Sequence, residues 1–296
     1  MCGIAGILQI NQTDINSKIM NILKGQSHRG KSSCGVAYFV NLKKGDFMNT
    51  IKQLVPPENF DITDNKINST VVVAHNRAPS IGEVKIQNAH PFTDCTNRIA
   101  LVHNGTSSTI KAVRPILQLH SHKLHGNTDS EVFVHILEDY MNNTDDLDKA
   151  MKEFYHYLKD IVDTHFTILV MVENQYIYAL RNGEDLVYAN NDNEILIASE
   201  YDAIKDAMDK TKYSSVIPTD EALIKFSKKN NLYIDYLEGK PDQVIQYDPE
   251  KPNESKFKEP TLPYMRYYKY NSNYWTLMEN YDKDKKFNDW NGVYYD

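Results

Sequence analysis

Cys2 stands directly after the initiating methionine, and that position offers chemistry that an interior cysteine lacks. Removal of Met1 is sterically easy ahead of so small a residue, and it would leave Cys2 with a free α-amine beside its thiol. An α-amino group titrates at about 7.7 to 8.0, so an appreciable fraction is neutral near physiological pH and can take the thiol proton, directly or through water. Nucleophile and base would share one residue, with no separate histidine required. Taken alone, Cys2 reads more simply as a small buried hydrophobe at the start of a first strand.

Other residues give the cysteine something to act on. Ala74-His75-Asn76-Arg77 ends an apolar run and presents Arg77 where strand becomes loop, a place suited to bidentate capture of a carboxylate. Val102-His103-Asn104-Gly105 also closes an apolar run, and the Asn104 side-chain amide and the Gly105 N–H can both point at a developing oxyanion; an ordinary Asn-Gly turn is the plainer reading. Asp129 falls at the first position of a capped helix, where the macrodipole favours a carboxylate with or without a ligand. Each feature is mundane by itself. Together they supply a nucleophile, its base, an oxyanion hole, a carboxylate clamp and an ammonium clamp, which describes an amino acid bearing an amide as substrate.

These residues must be positioned by regular elements, and the pattern predicts them. Short apolar runs at Cys2 to Ile10, Gly35 to Val40, Val71 to His75, Ile99 to His103, Phe166 to Val172, Tyr176 to Leu180 and Ile195 to Ser199 read as strands of a core buried on both faces. Val132, Phe133, Ile136, Leu137 and Tyr140 repeat at the spacing of one helix face, with Thr128 and Glu131 as a capping box. A second helix is predicted from about Asp146 to Lys159. Strands, helices, then strands again suit sheets covered by helices. After Glu238 the prolines Pro241, Pro249, Pro252, Pro260 and Pro263 and frequent charges mark the end of a compact domain over residues 2–238. Residues 239–296 read as a short Pro- and Tyr-rich extension that packs on the body or on a partner.

Composition narrows the classes further. At 296 residues with 41% hydrophobic residues and a net charge of -7, the chain reads as globular and offers no basic face for nucleic acid. No apolar run is long enough to span a bilayer and no secretory signal opens the chain, so the expected location is cytoplasmic, with no membrane partner. Cys2, Cys34 and Cys95 stand far apart and form no CxxC pair, which argues against disulfides and structural zinc. His120, His122 and His125 cluster, but no acidic or thiol ligand stands at a helpful spacing along the chain, so neither a metal nor another cofactor is expected. Cys34 and Cys95 read as bystanders.

Met1-Cys2-Gly3-Ile4-Ala5-Gly6-Ile7, His28-Arg29-Gly30 with Gly35, His75-Asn76-Arg77, Asn88-Ala89-His90-Pro91-Phe92, His103-Asn104-Gly105 and Thr128-Asp129-Ser130-Glu131 occur in that order. In these motifs the chain resembles the class II glutamine amidotransferases, members of the N-terminal-nucleophile (Ntn) hydrolases. The resemblance implies an α+β fold, an αββα four-layer sandwich. It also implies that Cys2 attacks the glutamine side-chain amide, forms a γ-glutamyl thioester, releases ammonia and is freed by water. On that likeness Asn104 and Gly105 form the oxyanion hole, Arg77 holds the substrate carboxylate, Asp129 its amino group, and His90 lies with the substrate-binding residues. The chain departs from the family where Arg77 runs on into Ala78-Pro79-Ser80 and where no Asn stands between Gly105 and Arg114. Family members usually join this domain to a synthase. The residues after Glu238 are too few for one and no P-loop occurs, so the expected partner is a separate ammonia-accepting synthase chain. Two other readings use the same residues: an Ntn cysteine amidohydrolase acting on another γ-glutamyl amide, and a degenerate, non-catalytic regulatory module.

Overall fold

The computed structural model describes residues 1–249 apart from 12–13, 43–44, 63–66, 68, 80, 109–111, 163, 229–230 and 248. The aromatic stretch from Tyr264 to Asp296 lies outside the described residues. In chain order the strands are β1 (Gly3–Gln9), β2 (Ser33–Leu42), β3 (Gly45–Gln53), β4 (Val71–Arg77), β5 (Phe92–Thr93), β6 (Ile99–Gly105), β7 (Phe166–Val172), β8 (Tyr176–Asn182), β9 (Val187–Asn190), β10 (Glu194–Ala198), β11 (Tyr213–Pro218), β12 (Glu221–Lys228), β13 (Leu232–Glu238) and β14 (Pro241–Tyr247). The helices are α1 (Ile15–Gly25), α2 (Arg114–Leu119), α3 (Asp129–Asn142), α4 (Leu147–Ile161) and α5 (Tyr201–Lys205).

Apolar runs with no polar face cannot remain at a surface, and here they fill the middle of two sheets. One has eight strands in the order β14-β11-β9-β10-β1-β4-β2-β3, the other six in the order β13-β12-β8-β7-β6-β5. Neighbouring strands pair antiparallel in both. Ile4, Leu8, Val71 and Val73 of the first sheet bury against Val102, Leu169, Ala179 and Ile224 of the second. The other side of the first sheet, with Ala5, Ile7, Val72 and Ala74, packs under Ile15, Ile19 and Ile22 of α1 and Ile204 of α5. Leu101, Ile168 and Val170 of the second sheet pack under Phe133 and Leu137 of α3 and Phe154 and Leu158 of α4. In the inner strands each residue therefore meets either the opposite sheet or a helix, which is why β1, β4 and β7 carry no exposed position. The layers run helix, sheet, sheet, helix, the αββα sandwich of the Ntn type.

The elements that the sequence pattern misses include α1, β11 and β12 as well as the edge strands β13 and β14. β13 and β14 are only half-buried and alternate with polar residues. The sheet also continues past Glu238, because β14 pairs with β11 from Tyr247 to Pro241. A proline there is compatible with a strand, since β14 lies at the sheet edge and Pro241 is its first residue. The capping box forms only half: Thr128 Oγ1 accepts the Glu131 N–H at 3.3 Å, while the Glu131 carboxylate takes the Gly126 N–H at 2.9 Å and the Arg114 guanidinium at 3.0 Å. Among the described residues no helix is long and apolar enough to cross a membrane.

Candidate functional site

Antiparallel pairing brings the start of β1 beside the end of β4, with Gly3 opposite Asn76. Cys2 therefore abuts the residues that follow Arg77. Its Sγ donates to the Ala78 carbonyl at 3.3 Å and accepts the Ala78 N–H at 3.4 Å, and the side chain is buried. Burial pushes the thiol up from its ordinary value, against the Ala78 backbone and the positive charges of the N-terminus, Arg77 and Arg29, which pull it down. The net effect holds the resting thiol protonated, so reaction requires a base beside it. Met1 itself is exposed.

The end of β6 reaches the same place from the facing sheet. Asn104 Oδ1 accepts the Cys2 backbone N–H at 3.1 Å, and Asn104 Nδ2 donates to Glu184 Oε2 at 3.1 Å. These partners fix which end of the amide is which, because an N–H requires an acceptor and a carboxylate a donor. Nδ2 carries two hydrogens, and the bond to Glu184 uses one. Gly105 has φ +139°, and a Cβ there would lie 2.7 Å from His103 Nε2 and 2.8 Å from the His165 carbonyl oxygen, so no larger residue fits.

Arg77 is buried at the end of β4, with Nη1 donating to the Glu83 carbonyl at 3.1 Å and Nη2 to the carbonyls of Ile81 and Gly82 at 2.5 and 3.2 Å. Burial weighs against its charge, and the nearby Cys2 and Asp129 weigh for it. Asp129, at the first position of α3, accepts the Ser107 N–H at 2.7 Å through Oδ2 and the Ser130 N–H at 2.9 Å through Oδ1. Cys2, Asn104, Arg77 and Asp129 thus come from the ends of β1, β6 and β4 and the start of α3.

His90 is placed differently from these four. Its ring stacks on His75 with centroids 3.9 Å apart and meets the edge of Phe92, and neither ring nitrogen has a hydrogen-bond partner among the described residues. His75 in turn reaches the His103 carbonyl at 3.0 Å, and His103 Nδ1 meets Ser130 Oγ at 3.0 Å. All three rings are buried neutral: His75 is held down to about 3, His90 well below its usual value and His103 lowered, in each case first by burial. Folded values depressed below the unfolded ~6.5 mean that the unfolded chain binds more protons in acid. The stability these neutral rings contribute is complete above about pH 6.5 and is lost as pH falls toward about 3. Urea midpoints are accordingly expected to drop between pH 6.5 and 5, above the range where most carboxylates titrate; an unchanged midpoint would show that the rings are not buried neutral.

Two residues to which the sequence assigns no role complete the surroundings of Cys2. Arg29 Nε donates to the Cys2 carbonyl at 2.8 Å, and its Nη1 meets Asp185 and Glu200 at 2.7 and 2.8 Å. Arg29 lies in the His28-Arg29-Gly30 motif, which is its only sequence signal. Glu184, which holds Asn104, follows Gly183 at φ +80° and belongs to no motif.

The family profile for class-II glutamine amidotransferases matches residues 1–200. The glutamine–fructose-6-phosphate aminotransferase (isomerizing) of Sulfolobus acidocaldarius is 28% identical over 259 residues, 84% of this chain and 42% of that protein. The enzyme of the same description from Thermotoga maritima is 30% identical over 208 residues, 68% of this chain and 32% of that protein. Among solved structures, the glutamine phosphoribosylpyrophosphate amidotransferase of B. subtilis superposes with a TM-score of 0.62 at 16% identity, covering 80% of this chain and 49% of that one. The chain thus spans less than half the length of these relatives.

Proposed function

We propose, from the premise that the chain belongs to the class-II glutamine amidotransferases, that it releases ammonia from the side-chain amide of glutamine through a thioester on Cys2. The observation that carries this reading is the bond from the Cys2 N–H to Asn104 Oδ1, which ties the nucleophile's own nitrogen to the residue best placed to hold the oxyanion. With Met1 removed, that nitrogen is the α-amine and stays fixed beside Sγ. It takes the thiol proton as Sγ attacks the amide carbon. The second Nδ2 hydrogen of Asn104 and the Gly105 N–H then face the negative oxygen. The C–N bond breaks as the protonated amine returns its proton to the leaving nitrogen, and ammonia departs. Water, activated by the same amine, attacks the thioester and frees glutamate and the Cys2 thiol.

Arg77 and Asp129 supply opposite charges for the two ends of the amino acid. In this reading the Arg77 guanidinium takes the substrate carboxylate while keeping part of its hold on residues 81–83, and Asp129 takes the ammonium. The ammonia goes to a synthase outside the described residues. Release of glutamate from free glutamine, compared with release from N-substituted γ-glutamyl amides, tests the substrate assignment. Turnover of the conjugates alone replaces glutamine with another γ-glutamyl amide, and turnover of neither points to a regulatory module.

A further inference from the structure

We infer that Cys95, His122, His135 and Glu138 form a site for one zinc ion, where α3 meets the turn between β5 and β6. The four ligand atoms all lie within 4.8 Å of one another. Cys95 comes from the β5–β6 turn, His122 from the loop that leads to α3, and His135 and Glu138 from one turn of α3. Spacing along the chain hides this set, because the thiol and the carboxylate absent around His120 and His125 arrive from other elements.

Four of the six ligand-to-ligand distances lie close to the edges of a zinc tetrahedron. Cys95 Sγ is 3.7 Å from His122 Nδ1 and 3.6 Å from His135 Nδ1, and Glu138 Oε2 is 3.0 Å from both of those nitrogens. Zn–S of about 2.3 Å and Zn–N and Zn–O of about 2.0 Å at tetrahedral angles give S···N edges of about 3.6 Å and N···O edges of about 3.3 Å. Thiolate and imidazole together favour zinc over magnesium or calcium, and the thiolate and carboxylate balance its two charges.

The surroundings orient the ligands in the same sense. His122 Nε2 lies 3.2 Å from Asp139 Oδ1, which places the ring proton on Nε2 and turns the Nδ1 lone pair toward the other ligands. The Lys123 N–H donates to Cys95 Sγ at 3.4 Å, a bond that favours the thiolate. A hydrogen-bonded cluster without metal would require both imidazoles and the Cys95 N–H, at 3.1 Å, to donate to the single oxygen Oε2, and it gives Sγ no reason to sit equally close to both rings. Four protein ligands make a closed, structural site. It fastens the loop before α3 to the β5–β6 turn.

Cobalt(II) added to reduced, chelator-treated full-length protein tests the site. One equivalent should saturate a thiolate-to-cobalt charge-transfer band together with tetrahedral d–d bands, and zinc should displace both. Cys95→Ser should abolish the charge-transfer band. Its side chain is exposed, so the substitution leaves the fold intact, as circular dichroism would verify. Cys2→Ala should leave the band unchanged, and Asp139→Asn should weaken cobalt affinity about 10- to 100-fold. No thiolate band in the wild-type protein, or a band that survives Cys95→Ser, overturns the inference.

Discussion

Cys2→Ala is expected to remove glutamate release from glutamine, by about 10⁴-fold or more, the scale on which a covalent nucleophile matters. The substitution is small and the site lies at the end of β1, so the fold should persist and the loss should be chemical. The same variant should resist a glutamine-like diazo ketone that alkylates the wild-type protein once per chain. Mass spectrometry of the labelled wild-type protein reads two things at once: the label on Cys2 and the absence of Met1. Label on Cys34 or Cys95, or label on Cys2 with Met1 still attached, would falsify the proposed use of the α-amine as base.

Asn104→Ala should lower kcat about 10²- to 10³-fold, corresponding to roughly 3 to 4 kcal/mol for one oxyanion donor. KM should change far less, because Arg77 and Asp129 hold the substrate in the proposed complex. Asn104 has a second task, since its Oδ1 anchors the Cys2 nitrogen at 3.1 Å. Removing it loosens the base as well as the hole, so the loss should sit at the upper end of that range. Steady-state kinetics with glutamine separates the two parameters, and a rise in KM with kcat preserved would reassign Asn104 to substrate binding.

Much of the candidate site is legible in the sequence because its residues sit at element boundaries. Arg77 and Asn104 close apolar runs, Cys2 opens one and Asp129 starts a capped helix; antiparallel pairing sets the start of β1 beside the end of β4, and the end of β6 meets Cys2 from the facing sheet. The apolar runs also predict the inner strands, since a segment with no polar face has nowhere else to go. Edge strands such as β13 and β14 escape notice because half of each faces water. Glu184 and Arg29 were not legible in their roles, for they act through partners distant in sequence: Glu184 on Asn104, and Arg29 on Cys2, Asp185 and Glu200. No periodicity or spacing rule carries that information. The side chains gathered around Cys95 likewise come from separate elements, and of them His122 alone stands in a histidine cluster along the sequence.

The place of β1 between β10 and β4, with further strands beyond each, bears on where motion can enter the reaction. Amides of a central strand open to solvent only when large parts of a domain come apart, whereas surface loops open at little cost. Cys2 is anchored to such a strand, and Arg77 instead grips the carbonyls of the 81–83 loop. In the proposed enzyme the attacking group is therefore already immobilised before glutamine arrives, its entropy given up during folding and not during catalysis. Rearrangement during a turnover is left to the loop side, which makes entry and departure of the amino acid, and not the aim of the thiol, the steps that loop motion sets.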